Sequence, residues 1–170
     1  MQLPGKGNTE AIKDLLSSLV RRSEAVTALL ISREGVCVSK AGSTESLNST
    51  ALAALVAGMF AATREVANIV GEEQFSILLQ QGEKRHIHIS LIGQRYMMVV
   101  VFEDYRRIGR VRHEARSIGP ELVGILESRE KTKKEDSEDI SVPEFREYAL
   151  NLIDRIFVVG EEDDASSGPD

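Results

Sequence analysis

Hydrophobic and polar positions along this chain switch between helical and extended periods, and the order of the switches predicts α-β-β-α-β-β-β-α. Residues 9–23 place Ile12, Leu15, Leu16 and Leu19 on one side of a helix, with Asn8 as its cap. Two β-rich runs follow, 26–32 and 36–40, joined by Arg33-Glu34-Gly35, a glycine-ended connection that signals a hairpin. A polar loop, 42–47, leads into a long helix, 49–71, which Gly71 can close in left-handed geometry. Three strand-like runs come next, 74–81, 85–92 and 95–103, with turns at Gly82-Glu83-Lys84 and Gly93-Gln94. Ile108, Val111, Ala115, Ile118, Leu122, Ile125 and Leu126 then hold one helical phase; Gly119-Pro120 interrupts it and predicts a kink or a restart. Hairpins and a meander require antiparallel pairing, so the class is α/β with an antiparallel sheet.

The long helix carries two different apolar stripes. Leu52, Leu55, Val56, Met59, Phe60, Thr63, Val66 and Val70 recur at three- and four-residue steps, the pattern that packs on a sheet. Ala54, Ala57, Gly58, Ala61 and Ala62, followed by Glu65 and Asn68, make a second stripe of small residues. Glycine inside a helix costs roughly 1 kcal/mol against alanine, and close approach of a second backbone is one reason to keep it. The other reading is that this stripe packs beneath another part of the same domain.

Residues 127–139 contain no apolar side chain and read as a charged, solvated linker, its first residues being the last helical turn. A further helix is expected over 141–158, with Ser141 and Glu144 forming a capping box around Pro143. Its stripe of Phe145, Tyr148, Ala149, Leu152, Ile153, Ile156 and Phe157 will not stay exposed, since covering each large side chain contributes on the order of 1.5–3 kcal/mol. It can dock on its own body, a sister subunit or a partner groove. The expected organisation is therefore a domain over 8–130, a linker over 131–140, the helix over 141–158 and an acidic disordered tail over 159–170.

The chain has 170 residues and a net charge of −6, unevenly spread. Residues 1–130 carry 16 Lys/Arg against 15 Asp/Glu, whereas 131–170 carry 5 against 12. A body so close to neutrality lacks the basic face that nucleic-acid binding needs. Cys37 is the single cysteine, which excludes an internal disulfide and points to a reducing compartment. It falls in a strand and reads as a small buried hydrophobe. Neither a signal peptide nor an uninterrupted apolar stretch of ~18 residues is present, so a cytoplasmic protein that does not engage membranes is expected.

Candidate chemistry is sparse. His86 and His88 alternate with Ile87 and Ile89 and so project from one strand face, half of a possible zinc site. No Cys-x-x-Cys or His-x-x-x-His accompanies them, which favours two solvent-facing or interface histidines and no metal. Gly5-Lys6-Gly7 lacks the preceding strand, the spacing and the following Ser/Thr of a phosphate loop, so no nucleotide cofactor is expected. Ser17, Ser18, Ser32 and Ser90 have no nucleophile-elbow context. Arg106, Arg107, Arg110 and Arg112 would suit an arginine finger, but Glu103, Asp104 and Glu114 offer ion-pair partners on a solvated face. The chain is not read as an enzyme.

The segments LLISREGVCVSKAG, LAALVAGMFAATREVANIVGEEQF and the meander ending VVVFED resemble the roadblock/LC7 domain, with bacterial MglB-like members most similar, over roughly residues 10–130. The resemblance implies the roadblock/LC7 (profilin-like) fold: a five-stranded antiparallel sheet with the long helix on one face and the other helices opposite. It also implies a homodimer paired through the long helix and third strand, here Met59, Phe75, Ile77 and Leu79. Independently, 74–81 is uncharged and free of proline, and as an open edge it would template aggregation unless paired, central or covered. MglB-like dimers are regulators of MglA-type Ras-like GTPases, activating or co-regulating them in cell polarity and gliding motility by repositioning the GTPase's own groups. The alternative is a scaffold that recruits such a GTPase, or a polarity or motility complex, without changing turnover. The implied partner surface is Ala54, Ala57, Gly58, Ala61, Ala62 and Glu65, joined by Phe145, Tyr148, Leu152 and Ile156 of the tail helix. Arg64-Glu65 stands where MglB-like proteins often have small residues, so this surface is bulkier and more charged.

Overall fold

A computed structural model describes residues 4–138. The helix expected over 141–158, with Phe145, Tyr148, Leu152 and Ile156, lies outside the described residues, as does the tail over 159–170. The chain separates after Arg129 into two units, and the sheet belongs wholly to the first.

Helix α1 (Pro4–Ser23) starts earlier than expected, and Asn8 lies within it instead of capping it. A proline at the first helical position gives up only a donor that a helix start leaves idle. Strands β1 (Thr27–Ser32) and β2 (Cys37–Gly42) form the predicted hairpin. Gly42 has φ +91°, and a Cβ there would lie 2.4 Å from the Val26 carbonyl oxygen, so only glycine fits. Helix α2 (Ser49–Ile69) is capped by Asn48, whose side chain accepts the Ala51 N–H at 3.0 Å. At its far end Gly71 takes φ +85°. Its N–H donates to Asn68 and that of Glu72 to Ala67, the Schellman arrangement.

Strands β3 (Ile77–Gln81), β4 (His86–Ile92) and β5 (Tyr96–Phe102) complete a sheet of order β2-β1-β5-β4-β3, antiparallel throughout. The strands on either side of α2 in sequence are thus opposite edges of the sheet. Crossing four inter-strand gaps takes about 19 Å, and 21 helical residues span about 31 Å. Length alone lets α2 carry the chain over the whole face on a diagonal.

Strands β1 and β5 are covered on both faces, which explains why they read as continuous apolar runs. Leu29, Ile31, Met97 and Val99 pack under Ala53, Val56, Ala57 and Phe60 of α2. Ala28, Leu30, Met98, Val100 and Phe102 face Ile12, Leu16 and Leu19 of α1 and Val111, Ala115 and Leu122 of the last helix. Each large aliphatic side chain so covered contributes roughly 1.5–3 kcal/mol.

That last helix, α3 (Ile108–Glu138), follows a single 3-10 turn at Tyr105–Arg107. Of the kink or restart expected at Gly119-Pro120, the restart is excluded, because the helix runs through it. Pro120 is exposed, so the donor it lacks is lost on the solvent side while Ile118 and Leu122 stay packed. The charged stretch expected as a linker continues the helix through Glu138. Glu, Lys and Arg are good helix formers, and a helix already docked can be extended without an apolar face.

By length and apolarity α2 is also the one described helix that could cross a membrane, contrary to expectation. In this fold the apolar character goes into two uses, a sheet-facing side and an outer side.

Candidate partner-binding surface

The outer side of α2 is built from a different set of residues than the periodicity indicates. Ala53, Val56, Ala57, Phe60 and Ala67 are buried, with Leu52, Met59 and Thr63 half-buried beside them. Leu55 (72% exposed), Val66, Ile69 and Val70 point away from the sheet, so Leu55, Val66 and Val70 are corrected from core to surface. Ala57 moves the other way: it is 8% exposed and packs on the sheet, so it is not available to a partner. Ala54, Gly58, Ala61, Ala62 and Glu65 are exposed as expected. A Cβ at Gly58 would meet nothing within 4 Å, so no close contact within this chain accounts for the glycine. The surface is a ridge of Leu55, Val66 and Ile69 alternating with a floor of Gly58 and Ala62, at helical spacing.

Strand β3 is an edge, which excludes the reading that it lies in the middle of the sheet. Only Ile77–Gln81 is strand; Phe75 precedes it and is half-buried. Ile77 and Leu79 are exposed, while Leu78 and Met59 pack on the α2 side of the sheet. The Gln80 side-chain amide reaches Met59 Sδ at 2.9 Å, tying the edge strand to α2. The open edge of β3 and the outer face of α2 are thus two neighbouring unpartnered features, tied through Gln80 and Met59, and each is of the kind that marks an interface. Beside it lies a cleft of about 120 Å³ lined by Arg33, Phe60, Ala61, Arg64 and Gln74, where an Arg33 Nη2 donates to Gln74 Oε1 at 3.1 Å.

Three of the four clustered arginines, Arg106, Arg107 and Arg110, hold carboxylates. Arg106 binds Asp104 through its backbone N–H and its guanidinium, which holds the Asp104 carboxyl below its ordinary value. Arg107 and Arg110 both reach Glu24, a partner the sequence reading missed because it is far away along the chain. Of the three expected partners, Asp104 holds the cluster, while Glu103 is engaged by Arg85 and Glu114 by Arg22.

His86 and His88 do share a face of β4, but both are buried, correcting the solvent-facing expectation. The His86 ring lies between Phe102 and Tyr105, with centroids at 5.2 and 5.3 Å. Burial, helped by the nearby charge of Arg112, lowers the His88 pKa to about 4, so this imidazole is neutral. Among the described residues no three metal-ligating side chains converge. Cys37 is half-buried with its thiol pKa pushed up by burial, a chemically quiet position. Gly5-Lys6-Gly7 is part of α1, not a loop after a strand.

The Roadblock/LC7 domain family model matches residues 11–102. Among solved structures, MglB of Myxococcus xanthus is 30% identical, covering 69% of this chain and 96% of its own, with TM-score 0.67. An MglB with tetrameric arrangement is 28% identical over 74% and 94%, with TM-score 0.69. The gliding protein MglB of Thermus thermophilus is 26% identical over 75% and 95%, with TM-score 0.66. None of the curated proteins matches this chain.

Proposed function

This chain belongs to the Roadblock/LC7 domain family, and on that premise we propose that it is a homodimeric regulator of a bacterial Ras-like small GTPase of the MglA type. It activates or co-regulates hydrolysis by positioning the GTPase's own switch loops and supplies no arginine finger. The observation that carries this reading is the outer side of α2, where Leu55, Val66 and Ile69 stand exposed over Gly58 and Ala62 beside the open strand β3. Apolar side chains left out in this number on one face call for protein partners. Two copies pair along β3 and α2, and the small residues at Ala54, Ala61 and Ala62 receive the GTPase. The ion pairs of Arg106, Arg107 and Arg110 support a mechanism without a finger, because those guanidinium groups already have carboxylates. The apolar stripe of Phe145, Tyr148, Leu152 and Ile156 forms a second contact to the GTPase.

The test is phosphate release by an MglA-type GTPase with and without this protein, repeated with Ala61→Arg. Faster release that the substitution abolishes supports the proposal. Binding without any change of rate leaves a recruiting scaffold. No binding at all removes the GTPase from the reading.

A further inference from the structure

A second feature lies on the opposite face of the sheet from α2. There α3 leaves strands β3 and β4 partly uncovered, and a groove of about 680 Å³ opens between them. Its wall on α3 carries Arg112 and Arg116, one helical turn apart, with His113 between them. Its floor holds His88 and Ser90 of β4, and Ile77 and Val123 are among the apolar side chains that complete it.

Three observations set this groove apart. His88 is 1% exposed, yet neither of its ring nitrogens has a hydrogen-bond partner among the described residues. The Oγ of Ser90 beside it is also buried without one. Buried polar atoms in native proteins are nearly always paired, so three such atoms at the floor of one groove call for an explanation. Finally, the lining contains two arginines and no carboxylate. Like charges on one helix face repel, and an anion seated between them relieves that.

We propose that the groove between α3 and β3–β4 binds a small organic phosphate monoester. Arg112 and Arg116 hold the phosphate oxygens by charge-assisted hydrogen bonds, and the apolar wall of Ile77 and Val123 takes the organic part. Ser90 donates its hydroxyl. The neutral imidazole of His88 offers one donor and one acceptor, so the ligand also presents a hydroxyl or amine to it. A groove of this size falls in the range that small-molecule sites occupy. This inference goes beyond the GTPase reading: Arg112, Arg116, His88 and Ser90 lie on the other face of the sheet from α2, and Ile77 of β3 is the residue the groove shares with the proposed pairing of copies.

The test uses the full chain, titrated separately with adenosine 5′-monophosphate, phenyl phosphate and inorganic phosphate, and read by calorimetry and by the His88 ring-nitrogen NMR signals. The expected result is saturable binding of an organic monoester with Kd below about 1 mM, at least tenfold tighter than inorganic phosphate, with His88 shifted. Arg112→Gln/Arg116→Gln, both on an exposed helix face, should weaken it at least tenfold with the melting temperature unchanged. The adenosine and phenyl arms distinguish a nucleotide from a simple aryl ester, and saturation by either supports the site. Absence of saturation up to about 10 mM, equal binding of inorganic phosphate, or binding indifferent to the double substitution would each overturn it.

Discussion

The Nη1 of Arg110 lies 3.2 Å from Oε1 of Glu24, joining the first turns of α3 to the residue just past α1. Glu24 is the one non-glycine residue with positive φ among the described residues, at 54°, and it receives Arg107 as well. The local backbone cost is thus balanced by two cations that hold the chain at the corner between α1 and β1.

Because that pair is exposed, Arg110→Ala should change the unfolding free energy by less than about 1 kcal/mol. Stimulation of the GTPase should survive. Denaturant titration and phosphate release check both points, and loss of stimulation in a protein that still dimerises would make Arg110 a finger after all.

Val66→Asp tests the outer side of α2. Val66 is 51% exposed, so the charge enters water in the single subunit and the melting temperature should fall by only a few degrees, about 1 kcal/mol or less. Light scattering at about 50 µM should show the dimer become a monomer. An unchanged mass would move the interface off this helix.

Two glycines should respond in opposite senses. Gly42→Ala pushes a Cβ against the Val26 carbonyl at φ +91°, and should cost about 2–4 kcal/mol in a denaturant titration. Gly58→Ala meets nothing within its own chain and should gain about 0.5–1 kcal/mol in the isolated subunit. The same substitution should weaken self-association or GTPase binding if a second backbone approaches there. Gain of stability with both interactions intact would show that Gly58 has no contact role.

His88 gives stability a pH dependence of defined sign. Its pKa is about 4 when folded and near the ordinary 6.5 when unfolded, so between these values the unfolded chain holds a proton that the native one does not. The protein is therefore favoured above about pH 6.5 and loses stability as pH falls toward 4. Between about pH 7.5 and 5 the loss from this group should be about 2 kcal/mol. His88→Leu should flatten that slope in urea titrations at the two pH values. Equal slopes in both proteins would show that His88 is not held neutral.

Deleting residues 139–170 should leave the dimer folded, since the sheet and both of its cores are built from residues before Glu130. Affinity for the GTPase should fall, and the loss should shrink at high salt because the removed segment is acidic. A melting point lowered by many degrees with affinity unchanged would make the segment structural.

What the sequence determined by itself is the order of elements and most of their ends. Alternation and turn residues delimit the strands, and Gly71 closes α2 in left-handed geometry, because these are local properties of a few neighbouring residues. The resemblance to roadblock domains, and with it the antiparallel five-stranded sheet, was also legible there. Tertiary structure decided what depends on neighbours far away in sequence. Helix α2 is apolar nearly all round, so periodicity could not say which side meets the sheet; packing chose Ala57 and Phe60 and left Leu55 and Val66 outside. Pro120 reads locally as a kink or a restart and the charged turns through Glu138 as a linker, yet Ile118, Leu122 and Leu126 anchor one continuous helix. His88 alternates with isoleucines like a half-exposed strand residue, and its burial beside the helix that carries Arg112 comes from residues far away in sequence. The pairing of Glu24 with Arg107 and Arg110 joins residues more than eighty positions apart, and no local pattern encodes such a contact.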